Sequence, residues 1–120
     1  MGSAVDRCQI LVVEDSQDVS EALVLLLEQH GYRVSAASNG AEAMEMLRTQ
    51  KPRLVFVDLV MPVVSGLELI ETMKRDSALA SIPVIAMTAS VLRPRGVSTL
   101  RKPFPVSGLL GAAKFYCDGK

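Results

Sequence analysis

The sequence predicts a doubly wound α/β domain, in which helices cover both faces of a parallel β-sheet. Three continuous apolar runs end at turn or polar residues, and such runs are typical of strands buried on both faces. Amphipathic helical patterns alternate with these runs, which indicates parallel pairing through right-handed crossovers. The 120 residues are enough for one domain with its own core, but not for two.

The pattern of hydrophobic residues also predicts the order of the strands. The first, third and fourth strands are the most apolar, whereas the second and fifth are more polar. Because central strands are covered on both faces and edge strands are not, this difference favours the flavodoxin-like order 2-1-3-4-5. In chain order, we expect the five strands at residues 10–13, 33–37, 54–57, 83–88 and 97–100.

Helices are predicted between the strands from apolar residues at helical spacing. Ser16 is placed to cap the first helix, and Gly31 to end it in the left-handed conformation. The turn at 38–40 caps the second helix, Lys51-Pro52 stops it, and a third helix follows Gly66. The first helix is expected to bury Val19, Ala22, Leu23, Leu26 and Leu27, and the last, at 106–116, to bury Leu109, Leu110, Ala113 and Phe115 or Tyr116.

The connection between the fourth and fifth strands is unusually poor in helical signal. Pro94 lies in its middle and Gly96 at its end, which leaves room for about one helical turn at most. We therefore expect the fourth helix to be shortened or missing.

Composition excludes several functional classes. The 13 basic and 13 acidic residues balance, so net charge does not favour binding to nucleic acid or to a membrane surface. No apolar run approaches the ~18 residues of a membrane span, and the N-terminus lacks a secretory pattern. We expect a cytoplasmic protein in which Cys8 and Cys117 are reduced thiols.

Acidic residues follow two of the apolar strands. Glu14 and Asp15 come after the first strand and Asp58 directly after the third. These strands are neighbours in the predicted order, so the three carboxylates converge at the carboxyl edge of the sheet, where such folds bind ligands. Carboxylates this close repel one another, and a hard divalent cation such as Mg²⁺ compensates for their charge.

Two further groups complete the predicted site. Thr88 ends the fourth strand with a hydroxyl, and Lys102 follows the fifth with an ammonium suited to phosphate. Three acids, a cation site, a hydroxyl and an ammonium suit phosphoryl transfer, with Asp58 as nucleophile. Taken singly, Glu14 and Asp15 could be a solvated pair at a helix N-terminus, Thr88 a cap and Lys102 a surface lysine; the hypothesis depends on their shared register.

The chain resembles the receiver domain of two-component response regulators over essentially its whole length, which predicts one receiver domain spanning residues 1–120. The matching pieces are Val12-Val13-Glu14-Asp15-Ser16, Asp58-Leu59-Val60-Met61-Pro62 with Gly66, Met87-Thr88-Ala89 and Lys102-Pro103-Phe104.

The resemblance implies a role for each site residue. Asp58 would accept a phosphoryl group from a phosphohistidine on a sensor histidine kinase or phosphotransfer protein. Glu14, Asp15, Asp58 and the backbone carbonyl of Val60 would hold Mg²⁺. Thr88 and Lys102 would contact the phosphoryl group, and phosphorylation would shift a two-state equilibrium read by a downstream target. The resemblance further implies a cis peptide at Lys102-Pro103, and a phosphoacceptor that catalyses its own phosphorylation without being an enzyme in the usual sense.

Two features depart from the family pattern, and a third residue bears on how long the phosphoryl group is kept. Thr99 stands where the family usually places an aromatic switch residue, and only 13 residues separate Thr88 from Lys102. The apolar Val60, two residues after Asp58, cannot orient an attacking water, so we expect slow loss of the phosphoryl group.

Two alternatives remain beside this hypothesis. Phosphatases of the haloacid dehalogenase type use similar groups, but they place a second aspartate where this chain has Val60. A receiver-like module that is never phosphorylated and acts by binding alone is favoured slightly by Thr99 and by the short segment. Nucleotide binding is disfavoured, because acids instead of glycines follow the first strand.

Overall fold

The computed structural model describes residues 9–61, 65–89, 96–102 and 104–117, and within them it confirms the predicted fold. Five parallel strands form one sheet in the order β2-β1-β3-β4-β5. The strands are β1 (Gln9–Val13), β2 (Arg33–Ala37), β3 (Leu54–Asp58), β4 (Val84–Thr88) and β5 (Ser98–Arg101). The helices are α1 (Gln17–Gln29), α2 (Gly40–Gln50), α3 (Gly66–Arg75) and α4 (Val106–Cys117).

The sheet separates two apolar layers. Strand β3 is buried at every position, whereas the edge strands β2 and β5 each contain exposed residues. Phe56 points to the layer shared with α1 and α4, and its neighbour Val57 points to the layer shared with α2 and α3. Alternation along a strand therefore gives each face its own core.

Local capping sets where the helices begin. The Ser16 hydroxyl accepts a hydrogen bond from the Val19 amide, and Asn39 caps α2 in the same way. Helix α3 begins with a further cap, in which Ser65 and Glu68 form a reciprocal capping box. After α1, Gly31 adopts the predicted left-handed conformation, with φ at 92°.

Several predicted details differ from the structure. Asp58 is the last residue of β3 instead of the first beyond it, and β5 begins one residue later than expected. Of the two aromatic candidates in α4, Tyr116 is half-buried and Phe115 is 68% exposed, so the alternative that buries Phe115 is wrong. In α1, Leu23 and Leu27 face the core, but Val19 and Ala22 are exposed because they lie on the outward side of its first turns.

The short connection between β4 and β5 agrees with a shortened or missing fourth helix. Residues 90–95 lie outside the described part of the chain, and the described residues on either side of them are not helical. Only residues 89–97 join the two strands, fewer than the dozen or so that a parallel crossover with a full helix needs.

The remaining predictions concern membrane spans and cysteines. Within the described ranges, every helix is too short or too polar to cross a bilayer. Cys117 is disulfide-bonded, so the expectation of a reduced thiol is wrong for this residue. Cys117 lies in the apolar cluster that also contains Ile10 of β1 and Leu54 of β3, and residue spacing alone does not show this position. Cys8 and Pro103, with its predicted cis peptide, lie outside the described residues.

Candidate functional site

The strand register brings three carboxylates together at the carboxyl edge of the sheet. Val13 of β1 pairs with Val57 of β3, so Glu14 and Asp58 follow side by side. Glu14 and Asp58 are buried, with 3% and 6% of their surface exposed, while Asp15 is open to solvent. One oxygen atom from each of the three residues lies within 4.8 Å of the others. The predicted convergence is therefore present in the structure.

Lys102 joins the two buried acids. Its Nζ lies 3.1 Å from Glu14 Oε1 and 3.4 Å from Asp58 Oδ2. Its backbone amide donates a 2.7 Å hydrogen bond to the carbonyl oxygen of Thr88, which ends the neighbouring strand β4. The ammonium is thus held over the acids from a strand that is two positions away from β3 in the sheet.

Backbone amides fix the orientation of both buried carboxylates. The Val60 amide donates to Asp58 Oδ1 at 3.1 Å, and the Ser16 amide donates to Glu14 Oε2 at 3.2 Å. Each carboxylate therefore has one oxygen on a backbone amide and the other on Lys102. Charge-assisted contacts of this kind are stronger than neutral ones and leave little rotational freedom.

Burial and charge act in opposite directions on the titrating groups. Burial raises the pKa of Glu14, and the nearby Asp58 carboxylate adds to the effect, against the hydrogen bonds from Lys102 and Ser16. Burial alone would lower the pKa of Lys102, but its contacts with Glu14 and Asp58 outweigh burial and raise it. The ammonium therefore stays charged, whereas holding Glu14 ionised beside Asp58 is costly.

The charges of the site fit a divalent cation. Three carboxylates and one ammonium leave a formal charge of −2 when all are ionised. The donors are hard oxygens, and the exposed Asp15 keeps one side of the cluster open to water. Mg²⁺ prefers such a set, because it binds few carboxylates and retains several water ligands.

The structure places the remaining predicted residues around this cluster. Thr88 is the last residue of β4 and is 1% exposed, whereas Val60 follows Leu59 into the loop after β3 and is 68% exposed. The roles of these residues in catalysis and metal binding remain predictions.

The sequence did not indicate that Ser16 and Gly66 contribute to the site. Ser16 orients Glu14 through its amide, and Gly66 packs against the backbone of Asp58. The Ser65-x-x-Glu68 pattern marks the start of α3 in the sequence and could have revealed the position of Gly66 at the first turn of the helix.

Comparison with known proteins identifies one family. The model of the response regulator receiver domain matches residues 10–112. Protein Rrf1 of Nitratidesulfovibrio vulgaris is 34% identical over 100 residues, which are 80% of this chain and 72% of Rrf1. The polar-differentiation response regulator DivK of Brucella anthropi is 37% identical over 84 residues, 70% of this chain and 68% of DivK.

Solved structures have the same fold. The signal receiver domain of a signal transduction histidine kinase from Syntrophus aciditrophicus superposes with a TM-score of 0.85 at 32% identity, covering 93% of this chain and 91% of that one. The chemotaxis protein CheY4 of Vibrio cholerae, at 24% identity, has a TM-score of 0.82 over 92% of this chain and 98% of its own, a likeness of fold alone.

Proposed function

This chain belongs to the response regulator receiver domain family, and we propose that Asp58 is its phosphoacceptor. The observation that carries the proposal is the position of the Asp58 carboxylate, which is buried, contacts Lys102 and lies beside Glu14 and Asp15. Thr88 and Lys102 would act on the transferred group, and Glu14, Asp15, Asp58 and the Val60 carbonyl would hold Mg²⁺.

The chemistry follows from the contacts of the carboxylate. A phosphohistidine is the proposed donor: an Asp58 oxygen forms a bond to phosphorus while the P–N bond breaks, and the leaving imidazole takes up a proton. Mg²⁺ when bound would neutralise charge on the phosphoryl oxygens. Lys102 already contacts Asp58 Oδ2, so its ammonium is placed to pair with the phosphorylated side chain. Thr88 would donate its hydroxyl to a phosphoryl oxygen.

An apolar depression beside the site supports a protein as the donor. It has a volume of ≈ 440 Å³ and is lined by Val19, Ala89, Lys102 and Phe104. A sensor histidine kinase or phosphotransfer protein that packs there would bring its phosphohistidine to Asp58, in a cytoplasmic setting. The phosphorylated chain would then act on a downstream target, without turnover of an external substrate.

The test is phosphorylation by a small donor. We expect acetyl phosphate with Mg²⁺ to add the mass of one phosphoryl group to the wild-type chain and none to Asp58→Asn. Omission of Mg²⁺ or an excess of EDTA should abolish the gain. Asp76→Asn, which changes a partly exposed acid at the end of α3 and outside the acidic cluster, should leave the mass gain intact and serves as the matched control.

The same experiment distinguishes the alternatives. A folded wild-type chain that gains no mass would favour a module that acts by binding alone. Continuous release of phosphate from a generic ester would indicate a phosphatase. Val60 offers no carboxylate two residues after Asp58, which speaks against the phosphatase.

A further inference from the structure

We propose that Gly66 is a positioning residue for the phosphoacceptor, because its missing side chain lets the first turn of α3 lie directly against the backbone of Asp58 and Leu59. This inference rests on the proposed function of Asp58 and extends it to a residue outside the charged cluster.

Space, and not backbone conformation, explains why glycine is needed here. A Cβ atom added to Gly66 would lie 2.7 Å from Leu59 Cα and 2.9 Å from the carbonyl carbon of Asp58, and closer still to the Asp58 carbonyl oxygen. Among the described residues, the glycines with positive φ are Gly31 and Gly96. Gly66 has an ordinary helical backbone, so an alanine would be conformationally acceptable and would fail only by overlap.

The overlapping atoms cannot easily move aside, since they belong to the backbone of β3 and its exit. The Leu59 amide donates to the Met87 carbonyl at 3.0 Å, which ties the segment to β4. On the other side, the Gly66 amide donates to the Leu59 carbonyl at 3.2 Å. A methyl group at Gly66 would therefore separate α3 from β3 or displace the segment between them.

That displacement would reach the reactive side chain. The Val60 amide, one residue beyond Leu59, donates to Asp58 Oδ1, and the Val60 carbonyl is a proposed ligand of Mg²⁺. Shifting this segment changes the direction of the carboxylate and the position of the carbonyl together. Misplacement of a reactive group by about 1 Å can reduce a rate ~10²-fold, and loss of outer support typically weakens a metal site ~10–100-fold.

The experiment compares Gly66→Ala with Gly111→Ala. An added Cβ at Gly111, within α4, meets no atom within 4 Å, so this control makes the same chemical change without overlap. We expect Gly66→Ala to lose about tenfold or more in Mg²⁺ affinity by calorimetry, and similarly in its phosphorylation rate with acetyl phosphate by intact mass. The Val60 amide resonance should shift in Gly66→Ala and stay in place in Gly111→Ala.

A second variant separates positioning from a loss of stability. Ser65→Ala breaks the capping box at the start of α3 without adding an atom near Asp58, so it should lower the melting temperature and keep the wild-type affinity and rate. Wild-type Mg²⁺ affinity and rate in Gly66→Ala would overturn the inference. So would an equal loss in Ser65→Ala.

Folding failure is also informative. If Gly66→Ala is unfolded in buffer, the measurements are repeated in trimethylamine N-oxide, which favours compact states. Failure to fold there as well would overturn a positioning role, because Gly66 would then be required for folding itself. If the wild-type chain takes up no phosphoryl group, the proposed function fails, while Mg²⁺ affinity and the Val60 resonance still test Gly66.

Discussion

Lys102 compensates for the charge of two buried acids that come from different strands. Its Nζ is closer to Glu14 than to Asp58, at 3.1 Å against 3.4 Å. In the unphosphorylated structure, the ammonium is therefore shared between a proposed metal ligand and the proposed acceptor. A phosphoryl group on Asp58 adds negative charge within reach of the same ammonium, so a shift of Lys102 from Glu14 toward the phosphoryl group is the expected local response.

At the residue scale, Val60 predicts a long-lived phosphorylated state. Its side chain is apolar and 68% exposed next to Asp58, so it offers no acceptor that could orient a water for attack on phosphorus. We expect Val60→Gln to shorten the lifetime of phospho-Asp58 by about tenfold. This is less than the ~10²–10⁴-fold typical of full general-base catalysis, because an amide orients the water without taking up its proton. The decay is followed by intact mass after removal of the donor.

The control for Val60 keeps an apolar side chain. Val60→Leu should decay at the wild-type rate, and both variants should keep the wild-type melting temperature, because the side chain makes few core contacts. A lifetime of seconds for the wild-type chain in Mg²⁺ would contradict the prediction.

At the element scale, the helix starts depend on side chains that satisfy free backbone amides. At α2, Asn39 accepts from the Glu42 amide at 2.8 Å, while the Glu42 carboxylate accepts from both the amide and the hydroxyl of Ser38. The two hydrogen bonds from Ser38 lower the pKa of Glu42. The carboxylate also lies in the first turn, where the helix dipole favours negative charge.

The lowered pKa gives a pH dependence with a definite sign. A carboxyl whose pKa is lower in the folded than in the unfolded chain stabilises above its ordinary value of 4.5, and this contribution is lost as the pH falls through the folded pKa. We expect Glu42→Gln to lower the free energy of unfolding at pH 7 by about 0.5 kcal/mol or less, since the group is exposed and screened. The difference should shrink as the pH falls from 4.5 through the lowered folded pKa.

Urea unfolding of both proteins at each pH measures this difference. Glu45→Gln, an exposed change later in the same helix, is the matched control and should show no such pH-dependent difference. If the free energies of unfolding of wild type and Glu42→Gln differ as much at pH 3 as at pH 7, the ionised Glu42 carboxylate does not stabilise the start of α2.

At the scale of the whole molecule, the strand order and the site were predictable for the same reason. Runs such as residues 54–57 are buried because they lie centrally, and parallel strands bring their carboxyl ends to one edge. The sharing of Lys102 between Glu14 and Asp58 was not predictable, since it depends on side-chain positions across strands far apart in sequence. The close approach of Gly66 to the backbone of Asp58 and Leu59 was not predictable either, because a glycine at the start of a helix is equally compatible with an ordinary turn.

The last prediction links metal binding to the stability of the whole domain. A cation that binds only the folded chain raises the free energy of unfolding, by about 2.7 kcal/mol at a free concentration 100 times its Kd. In EDTA, the acids repel one another, so Asp15→Asn should be more stable than wild type by a few tenths of a kcal/mol, up to about 1. In saturating Mg²⁺ the order should reverse, because the variant loses a ligand.

Thermal unfolding with and without Mg²⁺ measures both halves of this reversal, with an expected rise of several degrees for the wild-type chain. Asp18→Asn is the matched control: it removes the same charge from the first turn of α1 but from outside the cluster of Glu14, Asp15 and Asp58. Asp18→Asn should keep the full Mg²⁺ increment, because it leaves all three carboxylates of the cluster in place. General screening by the salt is the same in both variants, so it cannot explain a difference between them. A wild-type melting temperature that is independent of Mg²⁺ would show that the cluster does not bind the metal, and an equal increment in Asp15→Asn would show that Asp15 is not one of its ligands.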